Sequence, residues 1–323
     1  MNHSPSISVL IPTYNRAELI HCSIESVLAQ SSSPNEILVV NDGSTDKTLE
    51  VLQHYSHQIT ILNQKNSGQS LARNNGILHA KSDWIAFLDD DDEFHPHRIA
   101  QLRESILAHP NADIHATNLA IISESGTVTN LWEQRGKPSR ILHPEKCPLR
   151  WALDGCFFLQ GMAIRKEALH SIGLFREIFS VFEDLDLFVR LASRRPWVLD
   201  SRITASIIRR SATDVNASSL WRSQPAKKFQ ALATIYRDAL TSQTWTPAER
   251  QWLQQSLGAN LFDLGLSLHV DREPEARAAI RQSLSHFVSI KSRIKAHACL
   301  LFPAAINHLL ERRSRQKPSF IRL

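Results

Sequence analysis

The stretch "WIAFLDDDDEFHP" (Trp84–Pro96) decides how the chain is read. Its apolar start reads as a buried strand, which runs into four consecutive aspartates before the chain turns toward Pro96. Adjacent carboxylates disfavour each other's ionised form, and a cation relieves that cost. Mg2+ and Mn2+ prefer oxygen ligands and keep water and substrate phosphates in their shells, so two carboxylates at a strand end suit a half-furnished metal site. Side chains alternate in direction along a strand, so Asp89 and Asp91 are expected to point the same way. The plainer reading is a solvated acidic loop capping a helix near Pro96, for which one or two acids suffice.

The segments before it alternate in kind. "ISVLIP" (Ile7–Pro12), "EILVVND" (Glu36–Asp42) and "QITILNQ" (Gln58–Gln64) are apolar runs of strand length. "AELIHCSIESVLAQ" (Ala17–Gln30) sets Leu19, Ile20, Ile24, Val27 and Leu28 at a helical period, and "SGQSLARNNGILHA" (Ser67–Ala80) reads as another helix. Ser44, Thr45 and Asp46 are good N-cap residues for a helix in "GSTDKTLEVLQHY". Strands separated by helices predict an α/β fold with a parallel sheet covered on both faces. Ligands bind such sheets beyond the carboxyl ends of the strands. Three polar tips meet there: "PTYNR" (Pro12–Arg16), "NDGS" (Asn41–Ser44) and "DDDD" (Asp89–Asp92).

Farther on, "DIHATNLAII" (Asp113–Ile122) and "FFLQGMAI" (Phe157–Ile164) read as strands, and "FEDLDLFVRLASRR" (Phe182–Arg195) as an amphipathic helix. After about residue 220 only helical patterns remain, over 222–242, 247–269, 274–288 and 293–313. The expected organisation is an α/β domain over 1–215, with halves 1–112 and 113–215, followed by a helical extension over 216–323.

The 42% hydrophobic and 21% charged residues describe a soluble globular protein, and no apolar run is long enough to span a bilayer. "MNHSPSISVLIPTYN" lacks the pattern of a signal peptide, so a cytoplasmic location is expected. Cys22, Cys147, Cys156 and Cys299 are scattered, as reduced thiols are. Residues 271–323 hold 11 Lys and Arg against 4 Asp and Glu, whereas the first 270 residues hold 26 against 28. The basic character therefore lies in the tail, where Leu300, Leu301, Phe302, Ile306, Leu309 and Leu310 are bracketed by basic clusters. Such a segment suits peripheral contact with an anionic membrane, or a solvated helical face. Aromatic interleaving is sparse there, so no nucleic-acid partner is expected.

In this order, "SVLIPTYNR", "ILVVNDGSTDKT", "NSGQSLARNNGI", "WIAFLDDDD" and "SVFEDLDLFVRLA" resemble the motifs of the family 2 glycosyltransferases, over about residues 6–210. The resemblance implies a GT-A fold: a Rossmann-like, mixed but mostly parallel sheet flanked by helices. It implies inverting transfer from a nucleotide-diphosphate sugar, with UDP-sugars expected, to a hydroxyl of a glycan or lipid-linked glycan in cell-surface polysaccharide or lipopolysaccharide synthesis. Pro12, Thr13, Tyr14 and Asn15 would then line the nucleoside pocket, with the Tyr14 ring on the base. Asp42, with Gly43, would meet the uracil edge, and Arg73 would approach the base or diphosphate. The D-x-D motif falls on Asp89, near the ribose, and Asp91, near a Mn2+ or Mg2+ ion on the diphosphate. Asp90 and Asp92 join the donor pocket, and Asp184 matches the catalytic base with Glu183 beside it.

The chemistry is consistent with those roles. An acceptor hydroxyl must lose a proton to a carboxylate in reach, and a leaving diphosphate is stabilised by a divalent cation. Asp184 falls in the first turn of an expected helix, whose dipole favours the ionised form that a base needs. Many relatives carry a histidine beyond the base that completes the metal site; "ASIIRRSATDVNASS" (Ala205–Ser219) has none, leaving Asp214, Asn216 or water. A Q-x-x-R-W motif is also missing, which implies transfer of one sugar at a time. Two other readings compete. A nucleotidyltransferase would want glycines in "PTYNRAEL", and a silent sugar-nucleotide-binding or scaffold protein would not need Asp89, Asp91 and Asp184 intact.

Overall fold

The computed structural model describes residues 4–137, 142–145, 148–193, 196–210, 225–242, 244–268, 273–287 and 289–301. The chain divides into two compact units, residues 1–211 and 212–323. The first unit opens with β1 (Ile7–Thr13), α1 (Ile20–Leu28), β2 (Glu36–Asn41), α2 (Thr48–His54), β3 (Thr60–Asn63), α3 (Gln69–His79) and β4 (Trp84–Phe87). It continues with β5 (Glu93–Phe94), α4 (Arg98–Ala108), β6 (Ile114–Ile122), β7 (Val128–Asn130), α5 (Leu131–Gln134), β8 (Leu142–Glu145) and α6 (Leu149–Leu153). A 3-10 turn (Leu159–Gly161), β9 (Met162–Arg165), α7 (Lys166–Ser171), α8 (Glu183–Ala192) and β10 (Trp197–Ile208) complete it.

The strands form one sheet in the order β3-β2-β1-β4-β9-β6-β10-β5, with β7 beside β6 and β8 beside β10. The ladders β2–β3, β1–β2, β1–β4 and β6–β10 are parallel. All seven residues of β1 are buried, as expected of a central strand covered on both faces. β9 runs antiparallel to both β4 and β6 and joins the two halves, pairing Ile164 with Ile85 on one side and with Ile114 on the other. Arg165 clamps this seam: its guanidinium lies 4.6 Å from the Trp84 ring centroid, and its Nε pairs with Asp113 at 2.8 Å.

Two expected strands are shorter than their apolar runs. "FFLQGMAI" keeps only its end as β9, because Phe157 leaves the sheet to stack on Trp197 at 5.1 Å and Gln160 occupies the 3-10 turn. "WIAFLD" ends as β4 at Phe87, although Leu88 N–H still donates to Leu10 O (3.1 Å).

The second unit contains α9 (Pro225–Thr241), α10 (Pro247–Leu268), α11 (Glu273–Ser283) and α12 (Ile290–Leu301). A reciprocal cap starts α10: Thr246 N–H donates to Glu249 Oε2 (2.8 Å) and Glu249 N–H to Thr246 Oγ1 (3.3 Å). Phe262, Leu266, Ile280, Ala296 and Cys299 form one core of this unit. α12 buries Ala296 and Cys299 but exposes Ile290 (75%), Ile294 (64%) and Leu301 (71%). Lys291, Arg293 and Lys295 are exposed on the same helix. Among the described residues no helix is long and apolar enough to cross a membrane. Asp214, Asn216, Cys147 and the tail beyond Leu301 lie outside the described residues.

Candidate active site

Because β1, β2 and β4 are parallel neighbours, their carboxyl ends share one edge of the sheet. Asn15 takes a left-handed conformation (φ 53°) that asparagine tolerates well. Its Oδ1 accepts from Thr45 N–H (2.8 Å), and its own N–H donates to Ser44 Oγ (3.0 Å), so it laces the first tip to the second. Asp42 is buried, and its carboxylate accepts from Gln64 Nε2 (2.7 Å), Ser67 N–H (2.8 Å) and Gly68 N–H (2.8 Å). Gly43 lies at φ +73°, and a Cβ there would sit 2.6 Å from Asn66 N. These contacts shape a wall in which Pro12 and Thr13 are buried and Tyr14 stands exposed.

The four aspartates do not continue the strand. Asp92 N–H donates to Asp89 O (3.2 Å), closing a tight turn with Asp90 and Asp91 at its corners. The strand-alternation argument that set Asp89 beside Asp91 therefore fails: in a four-residue turn the first and last residues come together. Asp89 and Asp92 share one donor, the Gln160 amide, whose Nε2 lies 2.7 Å from Asp89 Oδ2 and also bonds Asp92 Oδ2. Asp92 Oδ1 accepts from Ile208 N–H (2.9 Å) at the end of β10. Asp90 pairs with Arg16 at 3.6 Å, and Arg210 Nη1 donates to Asp91 O (2.6 Å). The Asp91 carboxylate accepts no hydrogen bond from another described side chain.

Arg73 ties this turn to α8. The side chain is 2% exposed; Nη2 donates to Asp89 Oδ1 and Nη1 to Glu183 Oε1, each at 2.8 Å. With its amide turned so that the nitrogen faces Glu183, Gln69 completes the brace, donating to Glu183 Oε1 (3.2 Å) and accepting from Arg73. The first turn of α8 holds three acids, and two are engaged: Glu183 by Arg73, Asp186 by Arg176 and Arg190. Asp184 has no ion-pair partner among the described residues; its Oδ1 accepts from Leu185 N–H (2.7 Å). Phe182, just before it, is held in the left-handed region (φ 62°), a strain of about 1–3 kcal/mol for such a residue.

Burial, with Glu183 next, raises the Asp184 pKa to about 7, against the pull of Leu185 N–H and Arg73. Burial thus opposes the ionised form that the helix dipole favours. Burial comparably raises Asp90 to about 7, opposed by the Thr13 hydroxyl and Arg16 and reinforced by Asp91 and Asp89. Burial also raises Asp91, with Asp89 next, and lifts Asp92 well above the usual range, with Asp91 and Asp89 next. Burial works against the Arg73 charge, but Asp89 and Glu183 outweigh it and hold the guanidinium protonated. Among the described residues no three His, Cys, Asp or Glu side chains already form a set that could hold a metal ion. The donor set nonetheless suits a hard cation in part: crowded carboxylates with Asp91 open, needing outside oxygens to complete the shell.

Arg16, Arg210, Gln160 and Asp186 belong to this constellation and were not singled out from the sequence. "DLDLFVR" does carry a signal for the last, since Asp186 and Arg190 are four apart on a helix. Gln160 carries none.

The glycosyl transferase family 2 model matches residues 8–173. A Haemophilus influenzae protein described as an uncharacterized glycosyltransferase is 31% identical over 188 residues, 57% of this chain and 61% of its own. YibD of Escherichia coli, also described as an uncharacterized glycosyltransferase, is 39% identical over 99 residues, 30% of this chain and 29% of its own. The chain thus spans about three-fifths or less of the length of these curated relatives. Staphylococcus aureus TarS 1–349, solved in complex with UDP-GlcNAc, superposes with a TM-score of 0.69 at 18% identity, over 98% of this chain and 94% of that one. The mannosyltransferase PcManGT from Pyrobaculum calidifontis, solved with GDP-Man and Mn2+, gives 0.56 at 17% identity, over 98% and 89%. These likenesses establish the GT-A fold, and with a family match over just over half its length, the chain belongs to glycosyl transferase family 2.

Proposed function

We propose that the protein is an inverting, non-processive glycosyltransferase that moves a sugar from a nucleotide-diphosphate sugar, a UDP-sugar by preference, to a hydroxyl of a glycan acceptor. The observation that carries this reading is Asp184: a carboxyl with no ion-pair partner among the described residues, raised to about 7, beside the Glu183–Arg73–Asp89 brace to the aspartate turn. A base works best with a pKa near the operating pH. Its Oδ1 is engaged by Leu185 N–H, which leaves Oδ2 to take the acceptor proton. As the acceptor oxygen bonds to the anomeric carbon, the bond to the diphosphate oxygen breaks on the opposite face and the configuration inverts. The exposed Tyr14 ring offers the base a stacking face, and the Asp42–Gly43 wall bounds the pocket. Asp91 and Asp89 would hold a Mn2+ or Mg2+ ion, which when bound stabilises the leaving diphosphate as a Lewis acid.

Nucleotide release from a panel of UDP- and dTDP-sugars, with and without Mn2+ or Mg2+, tests the reading without a known acceptor. Release from one donor supports it; no release and no nucleotide binding overturns it. The base also predicts a pH profile. Asp184 must be deprotonated to act, so kcat/KM should climb about tenfold per unit below pH 7 and level off above it. A profile flat from about pH 5 upward would show that the base titrates in the ordinary carboxylate range, and the raised pKa would no longer support Asp184 in that role.

On the acceptor side, the proposal is a lipid-linked or surface glycan reached at the inner face of a membrane. Ile290, Ile294 and Leu301 recur on one face of α12, among Lys291, Arg293 and Lys295. An apolar stripe edged with cations suits an anionic lipid surface. The wild type should sediment with phosphatidylglycerol vesicles and not with phosphatidylcholine alone. Ile290→Ser with Ile294→Ser should weaken that binding at least about tenfold. Equal sedimentation of wild type and variant would remove α12 from the contact.

A further inference from the structure

We propose that Gln160 is a positioning residue that holds the aspartate turn in shape without neutralising it; this rests on the transferase reading above. Gln160 is 4% exposed, and its one amide nitrogen bridges Asp89 Oδ2 (2.7 Å) and Asp92 Oδ2. Two carboxyl groups brought together by a tight turn are held there by the donor between them. Lysine or arginine in that place would supply the hydrogen bonds but also a positive charge, which would repel any cation the turn must accept. An amide has two N–H donors and no charge, so it fixes the geometry and adds no positive charge of its own.

The turn that carries Gln160 is itself anchored from behind. Thr117 Oγ1 donates to Gly161 O (3.1 Å), and a Cβ on Gly161 would lie 2.7 Å from Thr117 O. Arg98, buried at 1% exposure, donates from Nη2 to Met162 O (3.1 Å) and from Nη1 to Thr117 Oγ1 (3.1 Å). The support thus comes from β6 and β9 of the second half, with Arg98 of α4 behind them, and reaches across to a turn that ends a strand of the first half. Asp89 is then held on two sides, by Arg73 at Oδ1 and by Gln160 at Oδ2. Asp91, one corner of the same turn, accepts no hydrogen bond from another described side chain.

The test compares the full chain with Gln160→Met, which keeps the volume and loses both donors, and Gln160→Lys, which keeps donors and adds charge. Mn2+ binding is read directly from the loss of the free Mn2+ electron paramagnetic resonance signal, in the presence of UDP. kcat and KM for the donor and the melting temperature are measured beside it. Gln160→Met should weaken Mn2+ binding about 10- to 100-fold, the range for partners that orient metal ligands. Gln160→Lys should melt within a few degrees of wild type yet bind Mn2+ more weakly still, an effect that a merely structural role would not produce. Its donor KM should rise more than its kcat falls. If Gln160→Lys and Gln160→Met bind Mn2+ like the wild type, with kcat and KM unchanged, the assignment is overturned while the transferase reading stands. If the wild type binds neither Mn2+ nor UDP, the transferase reading fails, and this assignment with it.

Discussion

Asp184→Asn should lower kcat by about 10²- to 10⁴-fold, the usual contribution of a positioned general base, while leaving nucleotide affinity nearly unchanged. The substitution is close to isosteric. The hydrogen bond that the carboxyl accepts from Leu185 N–H can be kept by the asparagine Oδ1. No ion pair is broken among the described residues, and a group whose charge is disfavoured by burial is removed, so the melting temperature should hold or rise. Asp186→Asn is the informative contrast on the same turn of helix. It disrupts pairs to Arg176 and Arg190 and should lower the melting temperature with a much smaller effect on kcat. The check is steady-state kinetics with calorimetric UDP binding for both variants. Comparable loss of kcat in the two would show that the start of α8 acts only as structure.

Arg73→Met should be the most destabilising single change at the site. One guanidinium serves two carboxylates, and its removal leaves Asp89 and Glu183 facing each other with no cation between them. Removing one partner of a buried ion pair costs about 3–5 kcal/mol, because the remaining charge stays desolvated. For a chain of this size that lowers the melting temperature on the order of 10 °C. The 5.5 Å contact between the Arg73 guanidinium and the Phe175 ring is lost as well. Adding Glu183→Gln should recover part of the stability, since one of the two stranded charges is then gone. Denaturant unfolding of the two single variants and the double variant measures this directly. Strictly additive losses would mean that Arg73 and Glu183 do not interact energetically.

The first half was legible because its signals are local. β1 to β4 and the helices between them each announce themselves by a period within a dozen residues, and parallel order follows from their alternation. The tips of β1, β2 and β4 then share an edge by topology alone. The second half was harder, because β9 and β6 are apolar runs whose pairing is decided by partners far along the chain. The antiparallel insertion of β9 is not a property of "MAIR" itself. Within the site, residue types marked the acids but not their partners. Gln160 lies 68 residues from Asp92, and Arg73 lies 110 from Glu183, so no spacing rule connects them. The turn geometry of Asp89–Asp92 was misread for a related reason: an apolar run looks the same whether its last residues pair in a sheet or leave it.

The unbroken ladder from β3 to β5 has a mechanical consequence. Many two-substrate enzymes close like a jaw, with the two lobes hinged on a flexible link. Here β9 is bonded to β4 on one side and β6 on the other, so the halves are one plate, and prising them apart would tear a row of backbone hydrogen bonds. The spacing between the aspartate turn and the rest of the frame is therefore built in at folding, not set anew at each turnover. Any motion within this unit is then left to side chains and loops around the frame, and heat should melt both halves of the first unit in a single step.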